Sequence, residues 1–116
     1  MNMKIKSFLI ILLFIIQLPA LTQTTESINY TDETGRKQGH WIKKYPNGNI
    51  MYDGYFTNDK PSGEFRRYYE DSTLKSILVF GKSGVEAEAE LYYPSGLPSS
   101  RGKYINQMKE GKWQFF

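Results

Sequence analysis

One spacing constrains this chain more than any other feature it has. Gly39, Gly63 and Gly111 lie on a 24-residue step with Ala87 in the intervening place, and the same step carries Trp41, Phe65, Ala89 and Trp113. It also carries Tyr45, Tyr69 and Tyr93; Gly48, Ser72 and Gly96; Phe56, Phe80 and Tyr104; and Gly54 with Gly102, where Leu78 stands between them. Repetition on a scale of ~20–50 residues marks a fold made by stacking one small unit that cannot bury its apolar face alone.

Within the unit the apolar period is two, so the unit is made of strands. Residues 40–46 place Trp41, Lys43 and Tyr45 on one side, Pro46-Asn47-Gly48 supplies a tight turn, and Ile50, Tyr52, Gly54 and Phe56 share the face of the returning strand. "TNDKPSG" at 57–63 reverses the chain into a second unit with Phe65, Arg67 and Tyr69, a turn near "EDS", then Leu74, Leu78 and Phe80. "GKSG" at 81–84 reverses it again, and "NQMKEG" with "KWQFF" opens a fourth unit. The stretch "VEAEAELYY" is rich in helix formers, but its strict alternation of Val85, Ala87, Ala89 and Leu91 against Glu86, Glu88 and Glu90 matches a strand with one charged face. The predicted fold is all-β: a single elongated, twisted antiparallel sheet of stacked hairpins, one face lined largely by aromatic rings. Gly54 and Gly102 are expected to leave room for a neighbouring ring or backbone.

The N-terminal segment has a different character. Lys4 and Lys6 precede the apolar run "SFLIILLFIIQLPAL", and polar "TQTTES" follows, the order of a secretory signal. The expectation is a signal helix over residues 1–23, or an uncleaved anchor, then a polar linker over 24–34 and a repeat domain over 35–116. The protein would then be exported to the periplasm, the outer-membrane surface or the medium, or held at the inner membrane if the segment stays. Lys4 and Lys6 account for most of the formal net charge of +3. The remainder is close to neutral, and net charge therefore argues against a nucleic-acid partner. With no cysteine in the chain, disulfides, thiolate metal sites and cysteine nucleophiles are excluded.

The stretches "GHWIKKYPNGNIMYDGYFTNDKPSGEFRRYY" and "YYPSGLPSSRGKYINQMKEGKW" resemble the MORN-repeat variant family, including the bacterial proteins labelled YwqK-type toxin-antitoxin system antitoxins. The likeness covers about residues 35–116. It implies a β-hairpin array used for binding or scaffolding, without a catalytic centre or cofactor. Departures from the family pattern fall at Asp59, where a glycine is usual, at Ser72 in place of the turn glycine, and at Ala89 in place of the strand aromatic. The middle of the array is therefore expected to be its least regular part.

No residue pattern points to an enzyme, a cofactor or a metal. His40 is the only histidine and is expected on an edge in contact with water. Glu86, Glu88 and Glu90 are expected to pair across to Arg101 and Lys103 rather than to hold a cation. Lys43-Lys44 and Arg66-Arg67 send their members to opposite faces. The candidate partner-binding surface is the exposed tyrosine set Tyr52, Tyr55, Tyr68, Tyr92 and Tyr104, because a rigid ring with a polar tip makes contact at low entropic cost. The expected function is a non-enzymatic interaction or scaffold module with a protein partner. The alternatives are an antitoxin or immunity protein and a membrane-surface or glycan binder, and a sheet edge is open to pairing with a second copy.

Overall fold

The computed structural model describes residues 27–116; the predicted signal segment and the first linker residues lie outside them. Eight strands form one antiparallel sheet in chain order: β1 (Tyr30–Thr31), β2 (Lys37–Lys44), β3 (Ile50–Thr57), β4 (Lys60–Tyr68), β5 (Leu74–Phe80), β6 (Glu86–Tyr92), β7 (Pro98–Ile105) and β8 (Met108–Phe115). Every connection is a hairpin, and the described residues contain no helix. "VEAEAELYY" is strand β6, as its alternation predicts.

The hairpin turns repeat with the sequence. At one end of the sheet, Tyr45, Tyr69 and Tyr93 each donate their N–H to the carbonyl four residues on, while Gly48, Ser72 and Gly96 donate back to the same tyrosine. Those last three residues have φ of 88°, 73° and 90°, as a type I turn closed by a left-handed residue requires. The tyrosine hydroxyls then tie the units together. Tyr45 donates to the Tyr68 carbonyl at 2.7 Å, Tyr69 to that of Tyr92 at 2.7 Å and Tyr93 to that of Phe116 at 2.8 Å. The tyrosine column of the repeat is thus a ladder of inter-unit hydrogen bonds.

At the opposite end two connections are alike and the middle one differs. Asn58-Asp59 and Asn106-Gln107 form two-residue turns with positive φ at both positions. Each is followed by an irregularity in pairing beside Gly63 (φ 66°) or Gly111 (φ 66°). Ala87 stands in that column in the middle unit, and its Cβ opposes the left-handed backbone the bulge needs. The β5–β6 ladder therefore runs without a register shift from Ser76–Leu91 to Phe80–Ala87, and a wider loop closed by Gly81 N–H to the Glu86 carbonyl (3.0 Å) takes up the same chain length.

Part of the expected linker is ordered structure. Asp32 accepts hydrogen bonds from the Gln38 side chain, from the backbone and side chain of Arg36 and from Thr34, which holds its carboxyl well below the usual carboxylate range. That turn sets β1 against β2. Asn29 then extends the pairing with its side chain: the amide donates to the Ile42 carbonyl (3.1 Å) and accepts from the Ile42 N–H (2.8 Å).

One layer of sheet leaves a core that is a line of side chains rather than a volume. Phe65, Ala87 and Ala89 are its buried apolar residues, with Ser76 and Ser100 buried beside them. A row runs across seven strands: Trp41 opposite Gly54, Gly54 under the Phe65 ring, Phe65 opposite Leu78, Leu78 opposite Ala89, Ala89 opposite Gly102, and Gly102 under the Trp113 ring. Gly54 lies beneath the Phe65 ring and Gly102 beneath the Trp113 ring, so each of these rings covers a position that has no side chain to displace it.

Candidate functional site: a groove on the ring-lined face

Edge-to-face contacts link the rings of the first units: Trp41 to Phe56, Phe56 to Phe65, and Phe65 to Phe80, with centroids 6.3, 5.6 and 6.2 Å apart. A second cluster pairs Tyr104 with Trp113 at 5.0 Å. Between the clusters Ala89 stands in the ring column and Ala87 in the glycine column. Ala87 lies between Phe80 and Tyr104 in the cross-strand register, and Ala89 between Leu78 and Gly102. Beside them lies a groove of about 710 Å³ whose wall residues include Leu78, Phe80, Leu91 and Tyr104. The ring absent at position 89 interrupts the aromatic row beside this groove.

Strand parity sorts the charges. Asp53, Glu64, Glu86, Glu88, Glu90 and Glu110, the acidic residues of the described strands, all fall on the face opposite the ring row. There they meet cations. Arg66 holds Glu64 at 2.6 Å, and Arg101 approaches Glu90 at 3.4 Å as the cross-strand register predicts. The Tyr92 hydroxyl donates to Glu90 at 2.8 Å; this bond, with burial, raises its pKa above the ordinary tyrosine value. On the ring-lined face the charges are cationic and lie over rings. Lys37 is 5.0 Å from the Trp41 centroid and 5.1 Å from that of Phe56, Arg67 is 5.8 Å from Phe65, and Lys109 is 4.7 Å from Trp113.

The five candidate tyrosines divide between the faces. Tyr52 packs on Phe65 and Tyr104 on Trp113, both on the ring-lined side. Tyr55 stacks on His40, and Tyr92 bonds Glu90, both on the charged side, where the alternation of β4 also puts Tyr68. Of the five only Tyr55, 45% exposed, is an open ring; the others are half-buried. Tyr104 alone lies on the ring-lined wall of the groove, and Tyr92 contributes at its margin. His40, expected in water, is instead packed between Tyr55 (4.7 Å, stacked) and the Asp53 carboxylate, which its Nε2 meets at 2.5 Å. Among the described residues no cluster of His, Asp or Glu is placed to hold a metal ion.

Sequence reasoning placed Arg66 and Arg67 on opposite faces but overlooked the groove and the part that Arg67 and Lys75 take in it. Net charge conceals them, because the acids that cancel these cations lie on the other side of the sheet. The signal was present in parity: Lys43 and Arg67 share the alternation of Trp41 and Phe65, and Glu64 does not. Comparison of the chain with family models, curated proteins and solved structures finds no significant match.

Proposed function

We propose that this chain is a non-enzymatic interaction module, a MORN-like hairpin array carried outside the cytoplasm, that holds a protein partner on its ring-lined face. The observation that carries the reading is the segregation of charge and rings: a recessed apolar groove with cations around it, on a face from which every strand carboxylate is absent. Aromatic residues and arginine are enriched where proteins bind one another, and aspartate and glutamate are depleted there. Export is supported by the order of charge and hydropathy in residues 1–23.

Adjacent residues on opposite faces provide the test. A photo-crosslinking benzoylphenylalanine at Phe80 points into the groove, and the same residue at Val79, 49% exposed, points away from it. In cells that express the chain naturally, a discrete protein adduct is expected from position 80 and none from position 79. Adducts from position 79 alone would assign binding to the charged face, and no adduct from either would remove the protein-partner reading.

A second reading rests on Lys37, Lys43, Arg67 and Lys109, the cations of the ring-lined face: contact with an anionic membrane surface. It predicts salt-sensitive co-sedimentation with anionic vesicles.

A further inference from the structure

The groove has a direction. It runs along β6, where Leu91 lines it, with Phe80, Leu78 and Ser76 on the β5 side and Tyr104 and Ser99 on the β7 side; Ala87 and Ala89, between them in register, are themselves buried. At the Phe80 end Pro61, Val85 and Tyr104 line it together with the uncharged Asn106 and Gln107; at the Ser76 end it carries Arg67, which pairs in register with Ser76, and Lys75. No aspartate or glutamate lines it anywhere. One end therefore favours an anion and the other an apolar group.

Its width selects the shape of the occupant. β5 and β7 flank β6, so their backbones are about 9.6 Å apart at a strand spacing of ~4.8 Å, and the wall side chains narrow this further. A helix with its side chains is about 10–12 Å across and does not enter. An extended chain does, and the seven residues of β6 give a trough of roughly 23 Å at ~3.3 Å per residue. A flat bilayer surface meets the Phe80 and Tyr104 side chains and does not follow the recess they border.

We infer that the groove binds an extended peptide segment of the partner, its acidic residues at Arg67 and Lys75 and its apolar side chains between Phe80 and Tyr104. This deepens the protein-binding reading above and rests on it. Recognition is by charge at one end and burial at the other, with no strand added to a sheet edge.

The experiment is selection from a display library of random peptides of about eight residues, the length of the trough. Three forms of the folded protein are used: native, Arg67→Glu/Lys75→Glu, and Leu78→Gly/Ala89→Trp, which restores a ring over the trough. Arg67 and Lys75 are both exposed, so the charge reversal leaves the sheet intact, which a thermal melt checks. The native protein is expected to enrich peptides with aspartate or glutamate at one end and apolar residues after it. The charge-reversed protein should bind those peptides roughly tenfold more weakly, and the ring-filled protein should not retain them. Enrichment of neutral or basic peptides that the ring-filled protein loses would overturn the acidic-peptide inference and leave the protein-binding reading standing. Equal retention by native and charge-reversed proteins would also overturn it. No enrichment, together with binding to phosphatidylglycerol vesicles that the charge reversal abolishes, would replace the peptide with a membrane surface and overturn both.

Discussion

Ser72 occupies a backbone position that its side chain opposes. The turn column is otherwise glycine, and Ser72 keeps the glycine geometry, with φ 73° and its N–H bonded to the Tyr69 carbonyl at 2.9 Å. A non-glycine residue in the left-handed region costs about 1–2 kcal/mol, while glycine's extra freedom in the unfolded chain returns about 0.5–1 kcal/mol of that. Ser72→Gly is therefore expected to stabilise the protein by about 0.5–1 kcal/mol, raising Tm by roughly 2–5 °C in a calorimetric scan. A lower Tm would mean that the seryl side chain makes a compensating contact. Asp59, at φ 67°, is tolerated differently: its carboxylate accepts the Lys37 N–H at 2.6 Å and its own N–H reaches the Lys37 carbonyl at 3.0 Å. The substituted positions thus keep the turn geometry and gain or lose local hydrogen bonds instead.

At the scale of the hairpin, the middle unit exchanges large for small. The outer units set glycine beneath a ring, Gly54 with Phe65 and Gly102 with Trp113, and the middle unit sets Leu78 opposite Ala89. The two substitutions are compatible only as a pair, because a ring at 89 needs a bare backbone at 78. Ala89→Trp alone overpacks the row and is expected to cost about 1–3 kcal/mol. Leu78→Gly alone removes a half-buried side chain from a strand and is expected to cost about 2–4 kcal/mol. The double variant should cost less than the two singles together by about 1–3 kcal/mol, measured by a double-mutant cycle in urea. Additive costs would show that the row is not the coupled unit described here. This exchange also interrupts the row of rings beside the groove, so the departures from the repeat pattern at 78 and 89 shape the candidate site.

Across the whole molecule the two outer strands are treated differently. β2 is covered by two residues of β1 and by the Asn29 side chain, which replaces a strand's backbone groups at Ile42. Among the described residues β8 pairs on one side only, with Met108 and Phe115 well exposed. Sheet edges left uncovered recruit other chains. Asn29→Ala removes two hydrogen bonds and is expected to destabilise the protein by about 1–2 kcal/mol. It should also raise the fraction of dimers or larger species in light scattering as the β2 edge comes free; a monomer unchanged in stability would show that β1 alone covers that edge. The same large-scale view separates the two faces: a sheet one layer thick places opposite charges on opposite sides, and a near-neutral chain presents two unlike surfaces.

The hairpin array was legible in the amino-acid order because turn chemistry and two-residue periodicity are local, and the 24-residue step imposes them unit after unit. The strand assignment of "VEAEAELYY", the glycines beneath rings and the Glu90 pairing with Arg101 all follow from such local rules. Three features depended on cross-strand register, which sets what lies opposite what: the Tyr45, Tyr69 and Tyr93 ladder, the packing of His40 against Asp53, and the groove beside Leu78, Phe80 and Tyr104. The division of the expected tyrosine surface was legible in alternation alone, since Tyr52 and Tyr55 stand three residues apart on one strand. Alternation tells which residues share a side of one strand, but only packing against strands distant in sequence decides which sides meet and where a missing ring leaves space.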